Sequence, residues 1–446
     1  MAHEANIHIR HLTRVEGHGD IRVVIENGNL KEVRFSVVEA PRFFEAFLRG
    51  RAHHEVAHLA SRICGICAVS HRAAALKAIE TAFGIRISDQ SRLLRRLAAP
   101  DFLHVPSILH LAASDRATVT RAMRLKRLAY DLCRVVVGRH THPVAMNIGG
   151  FPFVHDPGSL LHMKKRLIDA MADVRETVVL FQSFEVPAFE RQTEYVSLTH
   201  TDVYPFYDGD LYSSDGHTIP PGAYKDAISE YVNPRSTAKY ARWNRPQYMV
   251  GALARLNNNF DLLRPFAREM ASELGIDVPC HNPFMNNLAQ LVECAHCLKE
   301  SIDIIDRLVE IGIRGENEQA PVRPRSGSGI GAVEAPRGTL FHEYASGRER
   351  RPIHEGKPAQ YRPRGKRRPV SRMWSCIQDL CGPHHAGRKR QRNERGYQVP
   401  GVWLRAMRYH SIRDIGCRSL NPSSWTTALF PRKWGHHLIF KTRSYL

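Results

Sequence analysis

No apolar run in this 446-residue sequence approaches the roughly 18–20 residues that a membrane helix requires, so no membrane insertion is expected. The opening stretch, MAHEANIHIRHLTRVEG, lacks an apolar h-region, and no secretory signal is read there. Cysteine is scarce. Nine in the whole chain are too few for a disulfide scaffold, which leaves buried, metal-bound or reactive thiols. No internal repeat of fixed period is found. With 43% hydrophobic and 24% charged residues, the composition is that of a globular protein and excludes a collagen, a mucin-like stalk and wholesale disorder. The length allows core for two to four domains.

Acidic residues are also scarce, but only in one place. Residues 345–446 hold 23 Lys/Arg against 5 Asp/Glu, whereas residues 1–344 hold 41 against 39. Nearly all of the formal net charge of +20 therefore lies in the last quarter. That tail carries the clusters RERR, RPRGKRRP and GRKRQR, scattered Pro and Gly, and four of the five Trp residues. Its composition reads as an irregular basic extension, poorly packed against a near-neutral body, or as the product of a shifted reading frame. Basic clusters supply salt-sensitive phosphate affinity. No recognised nucleic-acid-binding fold or aromatic platform accompanies them, so no specific nucleic-acid partner is expected. The chain divides on this reading into a body, 1–344, and a tail, 345–446.

The body reads as mainly α with a small N-terminal β portion. Ile21–Glu26 and Leu30–Glu39 are β-prone runs separated by Asn27-Gly28-Asn29, a hairpin signal within a β region over about 5–40. Residues 41–63 read helical. SHRAAALKAIETAFG is a helix with Gly84 as its C-cap. Two or three amphipathic helices follow in 90–137, another in 158–182, and helical periodicity returns over 246–314. The stretch 196–222, rich in aromatics, Asp, Gly and Ser, reads as turns or short strands.

The sharpest local feature is Arg62-Ile63-Cys64-Gly65-Ile66-Cys67. Two cysteines three apart at a helix start point one way and can hold one soft metal or form a redox pair. A helix N-terminus and a neighbouring Arg both favour the thiolate form. A structural zinc needs two further ligands, and a thioredoxin-like role needs a βαβ context that the flanks do not offer. His71 follows Cys67 by one turn. Thr13-Arg14-Val15-Glu16-Gly17-His18-Gly19 and Glu45 precede the pair, and Gly329-Ile330-Gly331-Ala332-Val333-Glu334-Ala335-Pro336-Arg337-Gly338 lies far downstream, running on into Phe341-His342-Glu343-Tyr344. His140, His142, Cys133, Cys280, Cys294 and Cys297 read as structural or core residues.

Taken in order over about residues 5–344, these segments resemble the large (alpha) subunit of a nickel–iron hydrogenase, of the cytoplasmic, bidirectional or non-F420-reducing type. Gly138-Arg139-His140-Thr141-His142-Pro143, Ser236-Thr237-Ala238-Lys239 and Tyr248-Met249-Val250-Gly251-Ala252-Leu253-Ala254-Arg255 add to the match. The resemblance implies reversible heterolytic oxidation of H2 at nickel and iron, the iron carrying CO and cyanide, with a structural magnesium. Soft thiolates suit both metals. By position, Cys64 would be a terminal nickel ligand and Cys67 a bridge between nickel and iron. Glu16 would begin the proton path, and Arg337 would hold its guanidinium over the open metal position with Asp115 to orient it. Glu45 would help bind magnesium, and His71 and Arg62 would act on the cysteine sulfurs from behind. The chain has no four-cysteine cluster signature. The resemblance therefore also implies an iron–sulfur small subunit, with an electron-acceptor module of diaphorase or heterodisulfide-reductase type beyond it. An exposed apolar patch is expected in the 5–70 region, where a partner would pack.

One departure is large. The family ends in a second pair, Asp-Pro-Cys-x-x-Cys-x-x-His, whereas the tail here holds only Cys376, Cys381 and Cys417, none at CxxC spacing. The alternative reading is therefore a non-catalytic, incomplete subunit that cannot assemble the centre.

Overall fold

The computed structural model describes residues 5–10, 19–37, 42–65, 67–98, 115–234, 236–315, 322–347 and 438–443. The chain opens with an antiparallel sheet of β1 (Ala5–Ile9), β2 (Gly19–Glu26) and β3 (Asn29–Val37), in that order. Asn27 and Gly28 turn the β2–β3 hairpin with φ of 53° and 76°. Two successive positive φ angles match the right-handed twist of the flanking strands. The helix expected over 41–63 is two helices, α1 (Arg42–Phe47) and α2 (His53–Ala60).

Helix α3 (Ala68–Phe83) is the centre of the molecule: fourteen of its sixteen residues are buried. Gly84 closes it at φ 67°, as its position predicts. The helices α4 (Asp89–Ala98), α5 (Arg116–Val137) and α6 (Pro157–Gln182) follow. Then come the strands β4 (Glu194–Thr199), β5 (Asp210–Ser213) and β6 (His217–Ile219), the short helix α7 (Tyr224–Ala227), and the hairpin β7 (Ser229–Val232) with β8 (Lys239–Arg242). β9 (Tyr248–Met249) pairs parallel to β4. The helices α8 (Ala252–Asn259), α9 (Pro265–Glu273) and α10 (Asn286–Ile311) complete the helical layer. α10 packs on α6, α8 and α9, and one apolar cluster runs from α2 and α3 through α5 and α6 to α10.

The motif stretch at 327–346 is a β-hairpin, β10 (Gly327–Ala335) and β11 (Gly338–Ser346). Strand β11 runs past residue 344 to Ser346. Residues 438–443 add an antiparallel strand, β12 (Leu438–Arg443), to β11. That segment departs from the irregular tail expected over 345–446, and residues 348–437 lie outside the described residues. Among the described residues no helix is long and apolar enough to cross a membrane.

Strand β10 lies directly on α3. A Cβ added at Gly327 would stand 2.7 Å from the carbonyl oxygen of Ala82; added at Gly329 or Gly331, it would fall on the carbonyl oxygens of Ala78 and Ala74. Gly-x-Gly-x-Gly on the strand faces Ala at every fourth helical position. Both lack bulk, so strand and helix backbones touch. Two strand residues rise about 6.6 Å and four helical residues about 6 Å, so the two rows stay in step along the contact. The Lys77 ammonium adds bonds to the carbonyls of Tyr207 (2.6 Å) and Ala332 (2.9 Å) and to Asp208 (3.1 Å).

Candidate functional site

The turn from α2 into α3 presents the cysteine pair. Arg62 and Ile63 donate their amides to the carbonyls of Leu59 and Ala60 (2.9 and 3.0 Å). His142 holds the Ser61 carbonyl at 2.8 Å through Nδ1. Cys67 is the N-cap of α3, and its amide donates to Cys64 Sγ at 3.2 Å. Cys64 is 6% exposed, and Cys67 is half-buried. The two residues lie at one helix start.

The glycine seam fixes what lies opposite. Gly327, Gly329 and Gly331 sit at Ala82, Ala78 and Ala74. The seam is antiparallel: each two-residue step along β10 towards the Ala335–Gly338 turn moves four residues towards the start of α3. Arg337 is half-buried at that turn, and a Cβ built on Gly251 would stand 3.3 Å from its carbonyl oxygen. The turn is gripped from behind by Arg255, which is fully buried. Its guanidinium meets Glu293 at 2.6 and 2.7 Å and Glu334 at 2.9 Å, and donates to the carbonyls of Ala335 (3.0 Å) and Pro336 (3.2 Å). Tyr204 donates to Glu293 at 2.9 Å; Leu198 N and the Thr339 hydroxyl donate to Glu334 at 2.7 and 2.8 Å. Burial pushes the Glu334 carboxyl above its usual range, with Arg255 opposing. Removing one member of a buried, hydrogen-bonded charge set costs about 3–5 kcal/mol, so the turn is firmly pinned.

His71 does not stand alone on α3. Its Nδ1 lies 3.0 Å from His342 Nε2, and His342 Nδ1 lies 2.6 Å from the Tyr344 hydroxyl. Burial pushes His71 down to about 4 and His342 well below the imidazole range, the neighbouring His71 adding to the latter. Both rings are therefore neutral near pH 7. If Tyr344 donates to His342, then His342 donates to His71, and the remaining proton of His71 sits on Nε2, the one ring nitrogen left to meet a sulfur. With the relay reversed, Nε2 is an acceptor. The sequence pattern alone gives His342 and Tyr344 no role of their own. Their two-residue spacing on one strand face is the available signal.

Three expected roles fall differently. Asp115, expected to orient Arg337, is the N-cap of α5: it accepts the Thr118 amide at 2.9 Å and the Thr118 hydroxyl at 2.5 Å. Those bonds hold its carboxyl below the usual range. Arg62 is exposed and lies 3.4 Å from His58 Nε2 rather than against a sulfur. Glu45, expected at magnesium, receives the Lys239 ammonium at 2.7 Å. Glu16 lies outside the described residues, as do Cys376, Cys381 and Cys417. Cys297 is buried, and burial pushes the Cys294 thiol up to about 12. Cys133 is buried as well, as the structural reading of these thiols requires.

Two sulfurs at a helix start suit a soft metal, but they are half of the thiolate set that the resemblance implies. Among the described residues no three His, Cys, Asp or Glu side chains gather where they could hold a metal. The tail contains no CxxC pair. The described residues do not complete a nickel–iron site.

The exposed patch expected over 5–70 is present. Ala5, Ile25 and Leu30, then Ile7, Val23 and Val33, then Ile9, Ile21 and Phe35 stand opposite one another across the first sheet. Directly opposed residues share a face, so one face is apolar from edge to edge. Leu30 and Val33 are each 62% exposed, and Ile7, Ile9, Phe35 and nearby Phe43 are exposed too.

Comparison with known proteins shows the family. Residues 42–124 match the family described as nickel-dependent hydrogenase, and residues 6–40 a family described as HoxL-like. The chain is 31% identical to the alpha chain of sulfhydrogenase 1 from Pyrococcus furiosus, over 75% of this chain and 82% of that protein. It is 29% identical to a subunit of the F420-non-reducing hydrogenase vhu of Methanocaldococcus jannaschii, over 75% and 90% of the two. An NAD+-reducing NiFe-hydrogenase in the H2-reduced state superposes with a TM-score of 0.65 at 25% identity, covering 77% of this chain and 86% of that one. The reduced Ni-Fe-Se hydrogenase of D. vulgaris Hildenborough shares the fold, with a TM-score of 0.60 at 22% identity and coverage of 77% and 86%. The chain belongs to the nickel-dependent hydrogenases, oxidoreductases with a nickel and iron centre, as a chain of the large (alpha) type.

Proposed function

We propose that this chain is built for the reversible heterolytic oxidation of H2 and reduction of protons, in partnership with an iron–sulfur small subunit, and that in its present sequence it carries only the N-terminal half of the thiolate set. The single observation that supports the reading is the cysteine pair at the start of α3, where the Cys67 amide donates to Cys64 Sγ at 3.2 Å. Two soft sulfurs at a largely buried helix start suit a metal of the kind that heterolytic hydrogen chemistry needs. In this reading Cys64 and Cys67 would hold the metal through their sulfurs, and Arg337 would supply a cation to the site. Glu16 begins the proton path, and His71 supplies Nε2 to a cysteine sulfur. Iron would carry CO and cyanide as the family resemblance implies. A magnesium ion at Glu45 has to share or displace the Lys239 ammonium.

The apolar face of the first sheet supports a protein partner, because a patch of that extent is costly to leave in water. The similarity to an NAD+-reducing enzyme and to F420-non-reducing hydrogenases supports an acceptor module of diaphorase or heterodisulfide-reductase type and a cytoplasmic setting.

A second reading, a non-catalytic subunit, is favoured by the two-sulfur donor set and by the lack of a CxxC in the tail. Nickel analysis of the purified full chain, with hydrogen-dependent dye reduction in the presence of a small subunit, tests both. Little nickel and no dye reduction are expected. Stoichiometric nickel with dye reduction would overturn the half-set reading and assign ligand roles to Cys376, Cys381 or Cys417.

A further inference from the structure

His71, His342 and Tyr344 form a hydrogen-bonded chain inside the molecule. Strand pairing explains why they meet. His342 stands opposite Gly331 and Tyr344 opposite Gly329, and opposed residues share a face. Those two glycines are the ones that lie on α3, so both side chains of β11 face that helix. His71 is 4% exposed, Tyr344 1% and His342 0%. His71 Nδ1 lies 3.0 Å from His342 Nε2, and His342 Nδ1 lies 2.6 Å from the Tyr344 hydroxyl. Successive rings meet edge to face, at 77° and 69°.

With both imidazoles neutral, each ring carries one N–H and the phenol one O–H, and the chain has two possible proton orders. In the first, Tyr344 donates to His342, His342 donates to His71, and His71 keeps its own proton on Nε2. In the second, His71 donates from Nδ1, His342 donates to the phenol oxygen, and the Tyr344 proton turns elsewhere. The chemistry selects the first. A contact of 2.6 Å fits an O–H donor, whereas N–H···O bonds centre at about 2.9–3.0 Å. A phenol, ionising near pH 10, is also a far stronger acid than a neutral imidazole N–H, and its oxygen, conjugated with the ring, is the poorer acceptor. A helical side chain leans over the turn N-terminal to it. The His71 ring therefore lies over the turn that begins at Cys67, whose carbonyl accepts the His71 amide at 3.1 Å.

We propose that Tyr344 and His342 are positioning residues: the donor chain from Tyr344 through His342 fixes His71 as the Nε2–H tautomer, so that its second nitrogen is a hydrogen-bond donor. The nitrogen that carries the proton is set by the bond that the other one makes. The use of this donor at a cysteine sulfur rests on the hydrogenase reading above, whereas the tautomer rests on the chain alone. A donor withdraws charge from a thiolate, and a bare nitrogen would set its lone pair against it.

The full-length chain labelled with 15N-histidine tests this at pH 7 by nitrogen–proton correlation spectra, with His71→Gln and His342→Gln to identify the two rings. In the native chain both rings are expected to carry the proton on Nε2 and to have a bare Nδ1. Tyr344→Phe keeps the ring and removes its donor, and a second set of His71 signals with Nδ1 protonated is expected. A native His71 protonated on Nδ1 would overturn the proposal. So would unchanged His71 signals in Tyr344→Phe, which would leave Tyr344 a packing role only. Should that variant fail to fold, the native spectrum decides by itself. Nickel content of the same sample separates the two readings. A nickel-poor chain with the wrong tautomer refutes the proton order alone, and stoichiometric nickel with the expected tautomer refutes the half-set reading alone.

Discussion

The seam around α3 and the N-terminal sheet are both built from short, regular sequence patterns, yet they end in opposite conditions. In the seam, glycines and alanines remove side-chain bulk, the backbones of β10 and α3 touch, and the Arg255 cluster ties down the turn beyond. In the sheet, Ile, Val, Leu and Phe create a continuous apolar face that the described residues leave open. The seam is complete within one chain. The sheet has the character of a surface awaiting something else. The contrast shows that burial follows geometric fit rather than hydrophobicity alone. Gly329 and Gly331 sit on the central helix, while Leu30 and Val33 stand in water.

The largest test of this contrast is Gly331→Val. Its side chain has to displace the main chain of α3 at Ala74, and overpacking against a backbone has no rotamer escape. A destabilisation of about 3 kcal/mol or more is expected, read as a lowered melting temperature or loss of soluble protein. A melting curve equal to that of the native chain would mean that β10 does not lie on α3. An intermediate effect is expected from acid. The buried His71 titrates near 4 in the folded chain and near 6.5 when unfolded; the buried His296, where burial is reinforced by Arg264, titrates near 3. Between those values the unfolded chain takes up the additional protons. Stability is therefore full above about pH 6.5 and is lost as pH falls towards 4 for His71 and 3 for His296, by on the order of 1 kcal/mol per pH unit for each group. Urea denaturation at pH 7 and pH 5 measures it. Equal midpoints would contradict the neutral, buried state of these rings. The smallest effect belongs to the sheet. Val33→Ser with Phe35→Ser is expected to shift stability by no more than about 0.5 kcal/mol per position, while lowering self-association and weakening capture of a small subunit in a pull-down. A large loss of stability instead would show that the face is packed within the chain.

Much of this fold is legible in the sequence because helices announce themselves by period and by caps. Gly84 and the 158–182 repeat fall where the pattern puts them, and Asn27-Gly28 marks its hairpin. The hairpin at 327–346 is not legible. Gly-x-Gly-x-Gly resembles a loop, and only the Ala74, Ala78, Ala82 row, 250 residues earlier, makes it a strand. Cys64 and Cys67 are found by spacing. Arg255 carries no chemical signal of its own, although it lies in a segment that marks the family. Its role exists only once Glu293 and Glu334 close around it. Asp115 misleads for the opposite reason: an Asp just before a helical run is a cap first, and its bonds to Thr118 leave that reading in place.

The seam also has a consequence in time. Ala74 leaves the ribosome long before Gly331, and at about 5–20 residues per second the interval is roughly ten to fifty seconds. Throughout it the alanine face of α3 has no strand to cover it. Contacts so distant in sequence form late. Synthesis thus leaves an interval in which the α2–α3 turn carrying Cys64 and Cys67 exists while the strand that covers α3 is still to be made.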